Sequence, residues 1–83
     1  MANSMQKTPL TLADLPINTS AMITEIHGGK GFARRLFIMG LRKGQTVTIL
    51  CKQPLRGPLT IQACGCQMTL GRGMAQKIQV DVI

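Results

Sequence analysis

The sequence predicts a mainly β domain: a small barrel of about five short strands, with one short helix inserted after the first strand. Three observations point there. After Gly44, apolar residues recur at every second position in short segments, the period of half-buried strands. Glycine- and proline-containing turns separate those segments, as in Pro54-Leu55-Arg56-Gly57-Pro58. Only residues 32–39 carry apolar side chains at helical spacing. A barrel suits so short a chain because it removes the open sheet edges that the strands would otherwise expose.

The elements follow in chain order. Residues 1–8 are polar and aperiodic and read as a flexible tail, leaving 9–83 as a single domain. Pro9 and Pro16 enclose Thr11-Leu12-Ala13-Asp14-Leu15, a one-turn helical or extended lead-in that Pro16 ends. Residues 21–27 form the first strand, with Ala21, Ile23 and Glu25 on one side and Met22, Thr24 and Ile26 on the other. Gly28-Gly29-Lys30-Gly31 reads as a flexible loop. In the helix, Phe32, Ala33, Leu36, Phe37 and Met39 share one broad face, while Arg34, Arg35 and Ile38 point the other way. Gly40 suits the left-handed position after the last helical residue, and Leu41 then packs back on Leu36. Arg42 and Lys43 complement the negative end of the helix dipole.

Four more strands follow. Val47, Ile49 and Cys51 alternate with Thr46, Thr48 and Leu50; Leu59, Ile61 and Ala63 alternate with Thr60, Gln62 and Cys64. Gly65 permits a tight reversal, after which Cys66, Met68 and Leu70 share a face. A loop or single helical turn over 71–75 precedes the last strand, where Ile78, Val80 and Val82 alternate with Lys77, Gln79 and Asp81.

Composition excludes several functions. The longest apolar run, Leu36 to Leu41 counting Gly40, is far short of the roughly 18 residues that cross a bilayer. No apolar signal-peptide segment occurs in residues 1–20, so a cytoplasmic location is expected. An odd set of cysteines, Cys51, Cys64 and Cys66, favours reduced thiols over a disulfide framework. One histidine and three acids, Asp14, Glu25 and Asp81, supply no paired carboxylates or nucleophile–base arrangement, and the glycine runs do not fit a phosphate loop. The chain is expected to be no enzyme and to need no cofactor.

The net charge of +7 has three readings. It keeps copies of a small domain apart. It also attracts acidic protein surfaces or the anionic cytoplasmic leaflet, where each Lys or Arg near the surface contributes about 1 kcal/mol. The third reading is nucleic acid, but base stacking needs aromatic side chains. There is no Trp or Tyr, and both Phe residues fall on the expected core face. Cys51, Cys64 and Cys66, with His27 as a fourth ligand, are the candidates for a metal site, but none is expected. The second close pair that structural zinc normally shows is missing, and a free cysteine more often serves as a small buried hydrophobe.

The run Arg35-Leu36-Phe37-Ile38-Met39-Gly40-Leu41-Arg42-Lys43-Gly44 resembles the "RL..LGL..G" core of the FeoA family, with Met39 standing at that pattern's second Leu. The turn at 54–59 and the closing segment from Leu70 to Val80 are similar to the family's later half, and residues 12–28 to its opening strand. The resemblance implies an SH3-like barrel and an accessory role in bacterial ferrous-iron uptake. The implied partner is the cytoplasmic part of the membrane transporter FeoB. Many family members carry an acid before the second proline of the turn, where this chain has Gly57. The outward helix face together with the family-like helix–turn marks Arg34, Arg35, Ile38, Leu41, Arg42 and Lys43 as the expected contact region. The alternatives are a small basic nucleic-acid-binding barrel and a metal-sensing module using the cysteines.

Overall fold

The structure, a computed structural model, describes residues 10–83; the tail expected at 1–8 lies outside them. The elements are β1 (Leu10–Thr11), a single 3-10 turn (Leu12–Asp14), β2 (Ser20–Ile26), α1 (Gly29–Met39), β3 (Thr46–Lys52), β4 (Leu59–Ala63), β5 (Cys66–Leu70), α2 (Arg72–Ala75) and β6 (Ile78–Val82). All strands join one antiparallel sheet in the order β1-β6-β2-β3-β4-β5. The mainly β class holds, with six strands rather than five. The added strand is the two-residue β1, which the lead-in forms by pairing Leu10 with Val80. The outermost strands β1 and β5 are not paired with each other, so the barrel is curled but not closed.

Two bulges curl the sheet and reset its faces. In β2 the register on β6 shifts between Ile23 and Glu25. Ala21 and Ile23 are buried, Glu25 turns outward, and Ile26 instead packs against the core opposite Ile78. In β3 the register on β4 shifts between Ile49 and Cys51. Val47 and Ile49 are buried, Cys51 is exposed opposite Thr60, and Lys52 comes inward opposite the buried Leu59. The strict alternation expected at Glu25 and Cys51 therefore fails for one reason, an inserted residue in each strand.

Lys52 then finds a role that alternation hid. Its ammonium group donates to the carbonyls of Ala13 (3.2 Å) and Leu15 (2.9 Å). Thr11 N–H and the Thr11 hydroxyl both donate to the Asp14 carboxylate, at 2.9 and 3.1 Å. Together these contacts hold the lead-in over the sheet, so that Leu12 and Leu15 complete a core with Ile23, Ile49, Ile61 and Ile78.

The β3–β4 connection is tight. Gln53 N–H donates to Pro58 O and Gly57 N–H to Pro54 O, at 3.0 and 3.1 Å. A Cβ on Gly57 would stand 2.7 Å from Gln53 Cβ and 3.1 Å from Pro54 O. The position where the family often has an acid thus has no room for a side chain here. Gly57→Ala is expected to cost about 1–3 kcal/mol through overpacking, read as a lower urea midpoint with an unchanged slope. An unchanged midpoint would show that the turn opens freely.

Helix α1 begins at Gly29, three residues earlier than expected. The first turn is anchored by the Phe32 ring, which packs over Gly28 and lies 5.0 Å beneath the Lys77 ammonium group. The expected loop 28–31 is thus mostly helix. At the other end Gly40 is left-handed (φ 101°), and Leu41 N–H donates to Leu36 O at 2.8 Å. Leu36 and Leu41 are both fully buried, so the expected return of the chain onto the helix is present. The helix is held to the sheet narrowly, through Leu36 in the core and Phe32 packed against it. Phe37 and Met39, expected to face the core, are 58% and 37% exposed. Phe37 sits one residue beyond Leu36, about 100° around the helix, and the sheet does not extend to cover it. No described helix is long and apolar enough to cross a membrane.

Candidate functional site

The last turn of α1 leaves three large apolar side chains exposed, Phe37, Ile38 and Met39, with Ile38 at 77% exposure; successive residues point about 100° apart, so they spread around the end of the helix. Three large apolar side chains left open to water on one helical turn make this end of the helix the candidate site. Cations stand between and beside them. A cleft of about 490 Å³ runs between the end of β2, the helix and the turn after it, bordered by Lys30, Arg34, Phe37, Arg42 and Lys43. Glu25 is the single acid on its rim, 3.8 Å from Lys43 with both side chains largely exposed; a pair of that kind contributes little. The Arg42 guanidinium lies 5.6 Å from the Phe37 ring centre, a cation–π distance that steadies both side chains. On the other side of Arg34, a hollow of about 410 Å³ is bordered by Phe32, Arg34, Arg35 and Ile38.

The expected contact residues are therefore mostly brought together. Arg34, Arg42 and Lys43 share the larger cleft, and Arg35 and Ile38 border the neighbouring hollow. Leu41 is a correction. It is fully buried and forms the floor of the cleft, because the left-handed Gly40 turns it under the helix. Residues that pattern reading missed are Lys30, which the helix extension brings onto the rim, and Phe37. The signal for Phe37 was its place beside Leu36, since a narrowly docked helix buries only one of two adjacent residues.

The candidate metal set of Cys51, Cys64, Cys66 and His27 is not brought together. All three thiols are free and exposed rather than buried. Cys64 and Cys66 border one hollow beside the end of α1. Cys51 lies four residues along β3 from Val47, the residue paired with Ala63 beside Cys64, a separation of roughly 13 Å. His27 sits beyond the end of β2, where its N–H donates to Lys77 O at 2.7 Å. Among the described residues no three His, Cys, Asp or Glu side chains are grouped to hold a metal ion.

The model of the FeoA domain family matches residues 10–82. The chain belongs to the FeoA family. It is 31% identical over 74 residues to the Porphyromonas gingivalis Fe(2+) transport protein A/Fe(2+) transporter FeoB fusion protein, an alignment covering 89% of this chain and 9% of that one. The FeoA chain thus spans under a tenth of that relative's length. A crystal structure described as the iron uptake regulatory protein FeoA superposes with a TM-score of 0.81 at 25% identity, covering 93% of this chain and all of the other. The solution structure of a FeoA protein from Chlorobium tepidum gives 0.81 at 27% identity, covering 89% and 70%. These likenesses extend over the sheet as well as the helix–turn that first suggested FeoA, and the SH3-like architecture is that of the family.

Proposed function

We propose that this chain is a non-enzymatic accessory protein of ferrous-iron uptake. It binds the cytoplasmic part of a FeoB-type membrane transporter and modulates the assembly or activity of that transporter from the cytoplasmic side. The observation that carries this reading is the fusion relative, in which a sequence like this one shares a polypeptide with an Fe(2+) transporter. Such a fusion makes contact between the two parts intramolecular. The docking face is the exposed last turn of α1, Phe37, Ile38 and Met39, with Arg34, Arg35, Arg42 and Lys43 interleaved, apolar side chains among basic ones. This composition fits a partner surface with an apolar recess and acidic edges.

The exposed Phe37 under Arg42 gives the nucleic-acid alternative one stacking side chain. One experiment separates the two readings. The full chain is titrated calorimetrically with the purified cytoplasmic nucleotide-binding part of a FeoB-type transporter, and by filter binding with single-stranded RNA and DNA. The expected result is saturable binding to the transporter part and none to nucleic acid at physiological salt. Steeply salt-dependent nucleic-acid binding with no heat from the transporter part would reverse the assignment.

A further inference from the structure

A third hollow, of about 290 Å³, lies between the last turn of α1 and the β4–β5 turn. Four sulfur-bearing side chains line it: Met39 from the helix, Cys64 from the turn, and Cys66 and Met68 from β5. Strand alternation places Cys66 and Met68 on the same face of β5, and Met68 packs against the core beneath. Ala63 pairs with Cys66 across the turn. Cys64 and Gly65 both take left-handed conformations, φ 53° and 77°. Asn, Asp or Gly fill the first such position most easily, so a cysteine there departs from what the turn itself favours. Strained turn positions of this kind accompany functional side chains.

The donors around this hollow decide what it can bind. No third His, Cys, Asp or Glu is grouped with the two thiols among the described residues. Tetrahedral zinc and oxygen-ligated calcium or magnesium therefore lack a ligand set. Two thiolates flanked by thioethers form a soft set, which selects monovalent copper. The surroundings fit. The Gln45 side-chain amide donates towards Cys64 Sγ at 2.7 Å and to Gly40 O at 2.9 Å. Its Oε1 accepts from Arg42 N–H at 3.3 Å, so the group that orients the sulfur is itself held. Arg42 also borders the hollow and offsets the negative charge of a bis-thiolate Cu(I) centre.

We propose that the Cys64-Gly65-Cys66 turn is a Cu(I) site. The deprotonated sulfurs of Cys64 and Cys66 bind the ion, Met39 and Met68 flank it, and the two thiol protons pass to solvent. The site uses none of the side chains whose replacement tests transporter binding apart from Arg42, and it stands if that reading fails.

The test titrates the reduced full chain anaerobically with Cu(I) in competition with bathocuproine disulfonate. The wild type is expected to withdraw one Cu(I) per chain. Cys64→Ser and Cys66→Ser each lower the affinity about 100-fold or more, and Met68→Leu about tenfold. Cys51→Ser leaves it unchanged. Both ligand thiols are exposed, so serine at either position preserves the fold, checked by far-UV circular dichroism. Failure of the wild type to withdraw copper overturns the site. So does an equal loss in Cys51→Ser, or one equivalent still held by the Cys64→Ser/Cys66→Ser double variant.

Discussion

Leu41→Ala is expected to cost about 2–5 kcal/mol of folding stability. Leu41 is fully buried, tied by its N–H to Leu36 O at 2.8 Å, and lies where helix, turn and sheet meet. Truncation leaves a cavity at a point where the backbone is already fixed by the left-handed Gly40, so the site cannot collapse to fill it. For a chain of 83 residues, total stability is on the order of 4–12 kcal/mol, and the loss is a large share of it. With no Trp or Tyr, unfolding in urea is followed by far-UV circular dichroism. Ile38→Ala, by contrast, stays within about 0.5 kcal/mol of wild type, as exposed substitutions do. If both variants unfold at the same urea concentration, the placement of Leu41 beneath the helix is wrong. The contrast has a practical side, because a loss of partner binding in a Leu41 variant reports on folding and not on contact.

Charge reversal at Arg34 and Arg42 together with Ile38→Glu is expected to lower affinity for the cytoplasmic part of the transporter by about 100-fold or more, with an unchanged unfolding midpoint. The two contributions separate by kinetics. Rim charges act mainly on the association rate and its salt dependence, so Arg34→Glu/Arg42→Glu slows binding most at low ionic strength. Ile38 stands 77% exposed on the last turn of α1, beside Arg34 and Arg35. A carboxylate there is desolvated without a partner, which shortens the lifetime of the complex. Surface plasmon resonance at two salt concentrations reads both. Wild-type rates in the triple variant, with the fold intact, would remove this face from the interface.

The sequence made the strands legible where alternation was uninterrupted, as in Leu59-Thr60-Ile61-Gln62-Ala63. The buried residues there are the expected ones. It misled where one inserted residue changed the phase. Period-two patterning has no mark for a bulge, so Glu25 and Cys51 were placed with the inward residues and Lys52 passed unnoticed. The helix–turn was legible because Gly40 and Leu41 form a local, chemically constrained ending. How much of the helix the sheet would cover was not. That depends on where strands distant in sequence stop, and it decided the fate of Phe37 and Met39. The cysteines show the same limit. Spacing alone left Cys51 and His27 as candidates to join Cys64 and Cys66, and only the sheet order sets them apart.

The sheet order has one more consequence, for how the chain acquires its fold. β6, the last of the described strands in sequence, is not at an edge. It lies between β1 and β2, pairing Val80 with Leu10 on one side and with Ile23 on the other. During synthesis β2, β3, β4 and β5 can assemble from neighbouring segments, but the N-terminal lead-in has no sheet to join until the final strand has emerged. Closure of the domain therefore waits for β6, and it requires contacts between segments far apart in sequence, which form slowly. A truncation that removes β6 takes two strand interfaces with it, so it is expected to abolish folding, not merely to trim an edge.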